Sequence, residues 1–254
     1  MRTVVITGSG SGLGAAIRRR LEADGCRVVG VDLANQEIEA DLATASGRAA
    51  AMNAVLNATD RSIDGLVVCA GLGPHVRPLT KLVSVNYYGA VEVLDGLRPA
   101  LAAGDAPAAL AISSNSIGIV PIHDPTLIDA MLMGGEAAAL AAVGDLDGSS
   151  VYAMTKIALA RAVRTRVLDW GRAHIRLNAI APGPVLTPLL QGSLDDPVLG
   201  PLVDALPIPL ERRSDPDEIA ATAAFLLSPD ASYIHGSIIF ADGGTDAMVR
   251  PDAF

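Results

Sequence analysis

Aromatic residues are almost absent: Phe, Tyr and Trp make up 3% of the 254 residues, although half the chain is hydrophobic. A core large enough for one α/β domain must then be assembled from aliphatic side chains. An excess of positive charge is also lacking. The formal net charge of −9 excludes a general affinity for nucleic acid or for anionic lipid membranes. The single basic triplet, Arg18-Arg19-Arg20, falls in a helical pattern, where it reads as a solvated face. The two cysteines, Cys26 and Cys69, are too few to staple a secreted scaffold. Each ends or begins an apolar run, so both are expected to be buried free thiols in a reducing, cytoplasmic setting. No apolar run approaches the length of a membrane span, and the start "MRTVVITGSG" is too short and too broken by glycine for a signal peptide. His75, His123, His174 and His235 show no metal-ligand spacing, so no metal is expected and each reads as structural or exposed.

What the chain has is an alternation. Short apolar runs rich in β-branched residues read as strands at Thr3–Gly8, Arg27–Asp32, Asp64–Gly71, Pro107–Ser114, Ile175–Gly183 and Gly236–Gly244. Helical patterns lie between them at Gly14–Gly25, Ala43–Ala58, Leu82–Leu101, from near Ser150, and at Asp215–Ser228. The strands are apolar throughout rather than alternating, as a parallel sheet covered on both faces requires. The fold class is therefore α/β: a single-domain, Rossmann-type doubly wound parallel sheet with helices on both faces, spanning residues 1–254.

The first strand and first helix are joined by "TGSGSGLG", Thr7–Gly14. A glycine-rich turn alone means little, but between a strand and a helix it suits a pyrophosphate. Gly8 can make the tight turn, Gly12 lets backbone amides approach the anion, and Gly14 lets the helix pack closely on the strand. The helix N-terminus then offers free N–H groups and the positive end of its dipole. Asp32 ends the second strand, eighteen residues after Gly14. A carboxylate there can accept hydrogen bonds from the adenosine ribose hydroxyls and repels a 2′-phosphate. Its neighbours are Leu33 and Ala34, Ser11 precedes Gly12, and no basic residue stands where a 2′-phosphate would want one. The cofactor expected is NAD(H) rather than NADP(H).

Further along, "VYAMTK" sets Tyr152 and Lys156 one turn apart on one helix face. Alone, that is a surface pair. Taken with "TGxxxGxG" and "NAIAPG", it resembles the short-chain dehydrogenase/reductase family from Thr3 to the C-terminus. The stretches "DGLVVCAGLGP", "VSVNYYGA", "RLNAIAPGPVLTPLLQ" and "DGGTDAMVRPDAF" are similar to its bacterial 3α-hydroxysteroid dehydrogenase/carbonyl reductase branch. The resemblance implies roles for single residues. Tyr152 matches the general acid/base, Lys156 its partner, and Ser114 the serine that holds the substrate oxygen, with Ser113 or Ser116 as substitutes. Asn86 matches the asparagine that supports a proton-relay water. "CAG", Cys69–Gly71, stands where the family has "NAG", which puts one strand-bracing hydrogen bond in doubt. Leu13, Ala70 and Gly71 are implied cofactor contacts, Asp41 and Leu42 lie beside the adenine, and Pro182, Gly183, Val185 and Thr187 belong to the nicotinamide side.

The chemistry follows from the phenol. Its ordinary pKa of about 10 is too high for an efficient base near neutrality, so an ammonium one turn away is expected to stabilise the phenolate. The implied reaction interconverts a secondary alcohol and a ketone, most readily a 3α-hydroxysteroid and its 3-ketosteroid. An aryl or allylic alcohol is an alternative substrate, and a nucleotide-sensing protein without turnover is an alternative of another class. Ser114 and Tyr152 are 38 positions apart, far more than most of the family uses. The extra segment, residues 117–150, reads as a helical insertion whose Met131-Leu132-Met133 cluster is packing surface. Because the Tyr152 helix often lies at a subunit interface in this family, a homodimer with contacts in residues 120–148 is expected, a tetramer being the other possibility. The Leu- and Pro-rich loop 184–213 reads as a lid over a small hydrophobic substrate.

Overall fold

The structure, a computed structural model, describes residues 1–253; Phe254, the end of the tail quoted above, lies outside the described residues. The six apolar runs become strands β1 (Thr3–Thr7), β2 (Arg27–Asp32), β4 (Gly65–Val68), β5 (Ala108–Ile112), β6 (Arg176–Pro182) and β7 (Ile238–Ala241), and a seventh, the two-residue β3 (Ile38–Glu39), was not read from the sequence. They form one seven-stranded parallel sheet in the order β3-β2-β1-β4-β5-β6-β7. β1 and β4 are neighbours although the chain leaves them in opposite directions across the sheet. Their C-terminal ends flank the switch point at which ligands bind in such folds.

Successive side chains of β1 go to opposite faces. Val4 and Ile6 join a cluster with Ile17, Leu21, Ile219 and Ala223, from the helices Gly12–Ala23 and Pro216–Leu227. Val5 joins the larger cluster on the other face, under the helices Ala45–Ala58, Gly89–Ala102 and Gly148–Thr165. This larger core is aliphatic apart from Tyr87, Tyr88 and Trp170. The expected α/β fold with helices on both faces is therefore what the chain forms.

Local chemistry fixes the ends that matter. The Asp147 carboxylate accepts from the Ser150 amide at 3.0 Å and caps the helix that carries Tyr152. The Thr187 hydroxyl accepts from the Leu190 amide at 3.3 Å and starts the helix Pro188–Leu194. The segment read as a loop thus contains that helix and a second, Leu199–Asp204. The helical pattern at Leu82–Leu101 is continuous, but it widens to a π-helix over Val83–Tyr88, a distortion frequent at functional sites.

The insertion packs onto its own domain. It runs through short helical pieces at Thr126–Asp129, Ala130–Gly134 and Gly135–Ala141. Leu127, Ile128, Met131, Ala139 and Val143 are buried in the larger core, whereas Met133 faces outward. Arg48, with 0% exposure, pairs with Glu92 at 2.6 Å and with Glu136 of the insertion at 2.5 Å, and donates to the Leu42 carbonyl at 3.2 Å. No helix of the described residues is long and apolar enough to cross a membrane.

Candidate active site

At the C-terminal edge of the sheet lies a cavity of about 880 Å³. Gly8, Ser11, Gly12, Leu13, Asp32, Asp41, Leu42, Ala70, Gly71, Ser114, Tyr152, Lys156, Pro182, Gly183, Val185 and Thr187 all line it. Of the residues expected from sequence, Asn86 alone is absent from its walls. Asn86 is fully buried behind Gly71: its Oδ1 accepts from the Leu72 amide at 2.7 Å, and its Nδ2 donates to the Leu72 carbonyl at 3.0 Å. Its side chain thus fixes the chain just beyond β4.

The nucleotide half is shaped by glycine. A Cβ on Gly14 would lie 1.9 Å from the Gly8 carbonyl oxygen, so only glycine lets the helix Gly12–Ala23 start this close to the turn. Gly8 and Gly12 adopt φ of +71° and +51°. Ser11 caps this helix through its backbone only, with no side-chain bond to the first-turn amides. Those amides remain free for an anion. The Asp32 carboxylate is oriented by the amides of Gly10 at 2.9 Å and Leu33 at 2.7 Å. This donor and acceptor set fits a dinucleotide whose ribose hydroxyls meet Asp32.

The bond left in doubt by "CAG" has a substitute that sequence reading missed. The Thr7 hydroxyl oxygen accepts from the amides of both Cys69 and Ala70 at 3.2 Å. The sheet edge is therefore braced from β1. The cysteines need a correction: both are free but only half-buried, because Cys69 faces the cavity and Cys26 follows the exposed helix end at Asp24 and Gly25. Cleft walls around Cys69 push its thiol up to about 12, opposed by Lys156, which makes it a poor nucleophile.

The helix Gly148–Thr165 aims Tyr152 and Lys156 into the cavity, as their spacing requires. Their electrostatics differ from the simple expectation. Burial raises the Tyr152 phenol above its ordinary value, and the Ser114 hydroxyl beside it opposes the rise. Lys156 lies 5.8 Å from the Tyr152 ring centroid and donates instead to the Ile112 carbonyl at 2.9 Å. Burial brings its ammonium down to about 8, with Cys69 opposing. In the protein alone, burial thus holds the phenol above its ordinary value. Ser113 is no substitute for Ser114, since its hydroxyl is spent on the Lys156 carbonyl at 3.1 Å.

The outer half of the cavity is apolar. Leu189, Leu190, Leu199, Leu202 and Leu206 form it from the segment after β6, and Ile119 and Val120, whose place here no sequence signal disclosed, line it from the segment after Ser114. His235 is structural: its Nδ1 accepts from the Leu177 amide at 2.9 Å, and its Nε2 lies 2.9 Å from the Val167 carbonyl.

Comparison with known proteins agrees with this arrangement. A family profile described as short chain dehydrogenase matches residues 2–123, and one described as enoyl-(acyl carrier protein) reductase matches residues 127–246. The chain is 47% identical to the 3-alpha-hydroxysteroid dehydrogenase/carbonyl reductase of Comamonas testosteroni, over the whole of both chains. It is 30% identical to the levodione reductase of Leifsonia aquatica, covering 97% of this chain and 94% of that one. The crystal structure of 3-alpha-hydroxysteroid dehydrogenase from Pseudomonas sp. B-0831 complexed with NADH superposes with a TM-score of 0.97, at 43% identity, covering 99% of this chain and all of that one.

Proposed function

Because the chain belongs to the short-chain dehydrogenase/reductase family, we propose that it is an NAD(H)-dependent oxidoreductase that interconverts a 3α-hydroxysteroid, or a comparably hydrophobic secondary alcohol, with its ketone. The observation that carries this reading is the convergence of Tyr152, Ser114 and Lys156 on the cavity that also holds Gly12 and Asp32. The likeness to a steroid dehydrogenase crystallised with NADH supports both substrate class and cofactor, and the leucine-lined outer half suits a rigid apolar ring system.

Bound nicotinamide supplies or accepts the hydride. In reduction Tyr152 gives its phenolic proton to the carbonyl oxygen, and in oxidation it takes the hydroxyl proton. Ser114 donates a hydrogen bond to that oxygen as charge develops on it. Lys156 keeps positive charge next to the phenol. A bound oxidised nicotinamide would add a second positive charge there, and Tyr152 would then act as base in the complex. Asp32 selects NAD(H), while Asp41, Leu42, Pro182, Gly183, Val185 and Thr187 complete the cofactor contacts. Asn86 acts through the backbone of Leu72 rather than by touching substrate.

A homodimer belongs to the same proposal, with contacts from the outer face of residues 120–148; a sedimentation mass equal to one chain would remove it. Two unpaired cysteines suit the reducing cytoplasm. The test is a nicotinamide-absorbance screen of steroid, aryl and allylic alcohols and ketones with NAD(H) and NADP(H). We expect turnover of 3α-hydroxy and 3-keto steroids with NAD(H). Activity confined to aryl or allylic alcohols would overturn the substrate class. Tight NADH binding with no turnover of any compound would leave a nucleotide sensor.

A further inference from the structure

The lid is not held over the cavity by leucines alone. We propose that His75 is a positioning residue for the reaction: it latches the lid helix Pro188–Leu194 to the frame that carries Tyr152, and so sets substrate affinity. This rests on the dehydrogenase reading for its kinetic consequence, but not for the latch itself.

The imidazole sits between two glycines. A Cβ on Gly73 would lie 2.7 Å from the ring Cε1, and one on Gly192 2.5 Å from Nε2. Both segments thus lie directly against the ring, and a side chain at either position would require the imidazole to move. Across the gap, Nδ1 lies 3.2 Å from the Ser193 hydroxyl, which is 3% exposed. That hydroxyl also lies 3.3 Å from the Leu189 carbonyl, and the imidazole tautomer sets whether Nδ1 donates to it or accepts from it. The bond is therefore a tie from the loop after β4 into the lid.

The loop side of the tie is rigid, which makes it a latch rather than a chance contact. The Asn86 amide holds both backbone groups of Leu72. The Pro74 carbonyl presses on Gly148, the first residue of the Tyr152 helix, where a Cβ would lie 2.1 Å from it. Arg77 donates to the Pro74 carbonyl at 2.9 Å and to that of Val76 at 3.0 Å. His75 is thus referenced to the same helix as Tyr152. On the lid side, Leu189, Leu190 and Ser193 all line the cavity, and Asp196 caps the next helix through the amides of Val198 and Leu199.

The experiment compares His75→Ala, Ser193→Ala, their double variant, His75→Asn and His75→Gln in the full-length protein, using a turned-over ketosteroid and NADH. Loss of one net hydrogen bond should raise KM for the ketone about fivefold in each alanine variant, with kcat not reduced by more than about twofold. The double variant should be no worse than the singles, because both remove one bond. His75→Asn, which presents an amide at the Nδ1 position, should restore KM, whereas His75→Gln should not. In parallel, amide hydrogen exchange across residues 188–206 should speed up in both alanine variants. Unchanged KM and unchanged exchange in Ser193→Ala would overturn the latch, as would strictly additive losses. Should His75→Ala fail to fold, Ser193→Ala and His75→Asn decide alone. Should the wild-type protein turn over no ketone, the exchange arm still decides the latch, while the dehydrogenase reading falls separately.

Discussion

Replacing Lys156 by Met should make the protein more stable and inactive at once. The ammonium is 4% exposed, and burial lowers its pKa from 10.5 to about 8. At about 1.36 kcal/mol per unit, that disfavours the folded state by roughly 3 kcal/mol at pH 7. The sign follows from proton counting. The folded pKa lies below the unfolded one, so between about pH 8 and pH 10.5 the unfolded chain binds more protons and stability rises with pH. Methionine removes the penalty and keeps the aliphatic stem. It also leaves the Ile112 carbonyl without its Lys156 donor, which costs about 1–2 kcal/mol. The net expectation is a gain of about 1–2 kcal/mol at pH 7. By pH 10 the relieved penalty shrinks to about 1 kcal/mol or less, so the gain vanishes. Urea unfolding of both proteins at pH 7 and pH 10 measures this. A Lys156→Met protein less stable than wild type at pH 7, or a gain identical at the two pH values, would refute the reasoning. Turnover should be lost under both conditions.

Asp32→Asn keeps the size of the side chain and removes the charge, and its single amide oxygen can accept from only one of the Gly10 and Leu33 amides, which now meet separate carboxylate oxygens; the ratio of kcat/KM with NADPH to that with NADH should rise about tenfold or more, measured at fixed substrate. An unchanged ratio would mean that Asp32 does not select the cofactor. Arg48→Met breaks the buried tie among three segments. Since Glu92 and Glu136 keep 39% and 25% exposure and can turn to water, the loss should sit at the low end for broken buried pairs, about 3 kcal/mol. That corresponds to a fall in Tm of roughly 6–12 °C for a chain of this size, read by calorimetry. A shift within 2 °C, about the yield of an exposed pair, would show that the insertion is held by apolar packing alone.

Much of this was legible in the sequence because the determining physics is local. Asp32 ends β2 as read, since a run of β-branched residues stops where the chain leaves the sheet. The Tyr152 and Lys156 spacing forces both onto one face of any helix. Where the structure departs from the reading, the cause lies in a distant partner. The strand read through Gly71 ends at Val68, because Thr7 takes the next two amides out of the ladder. Arg48 sits in an alanine-rich helix with nothing nearby to betray its burial, and its partners are Glu92 and Glu136. The Asn86 side chain holds both backbone groups of Leu72, a partnership that its own sequence neighbours do not disclose. His75 has no motif around it, and only the meeting of Gly73 and Gly192 across its ring discloses a use. The phenol and the ammonium are adjacent in sequence logic, yet their pKa values answer to burial, which spacing does not encode.

The most direct test of the central claim is Tyr152→Phe, assayed for NADH binding by fluorescence and for ketone reduction under saturating cofactor. Phenylalanine keeps the ring and removes only the proton donor. The account expects NADH affinity within about twofold of wild type and turnover lower by roughly 10²–10⁴-fold. Near-normal turnover in a folded, NADH-binding Tyr152→Phe protein would contradict it.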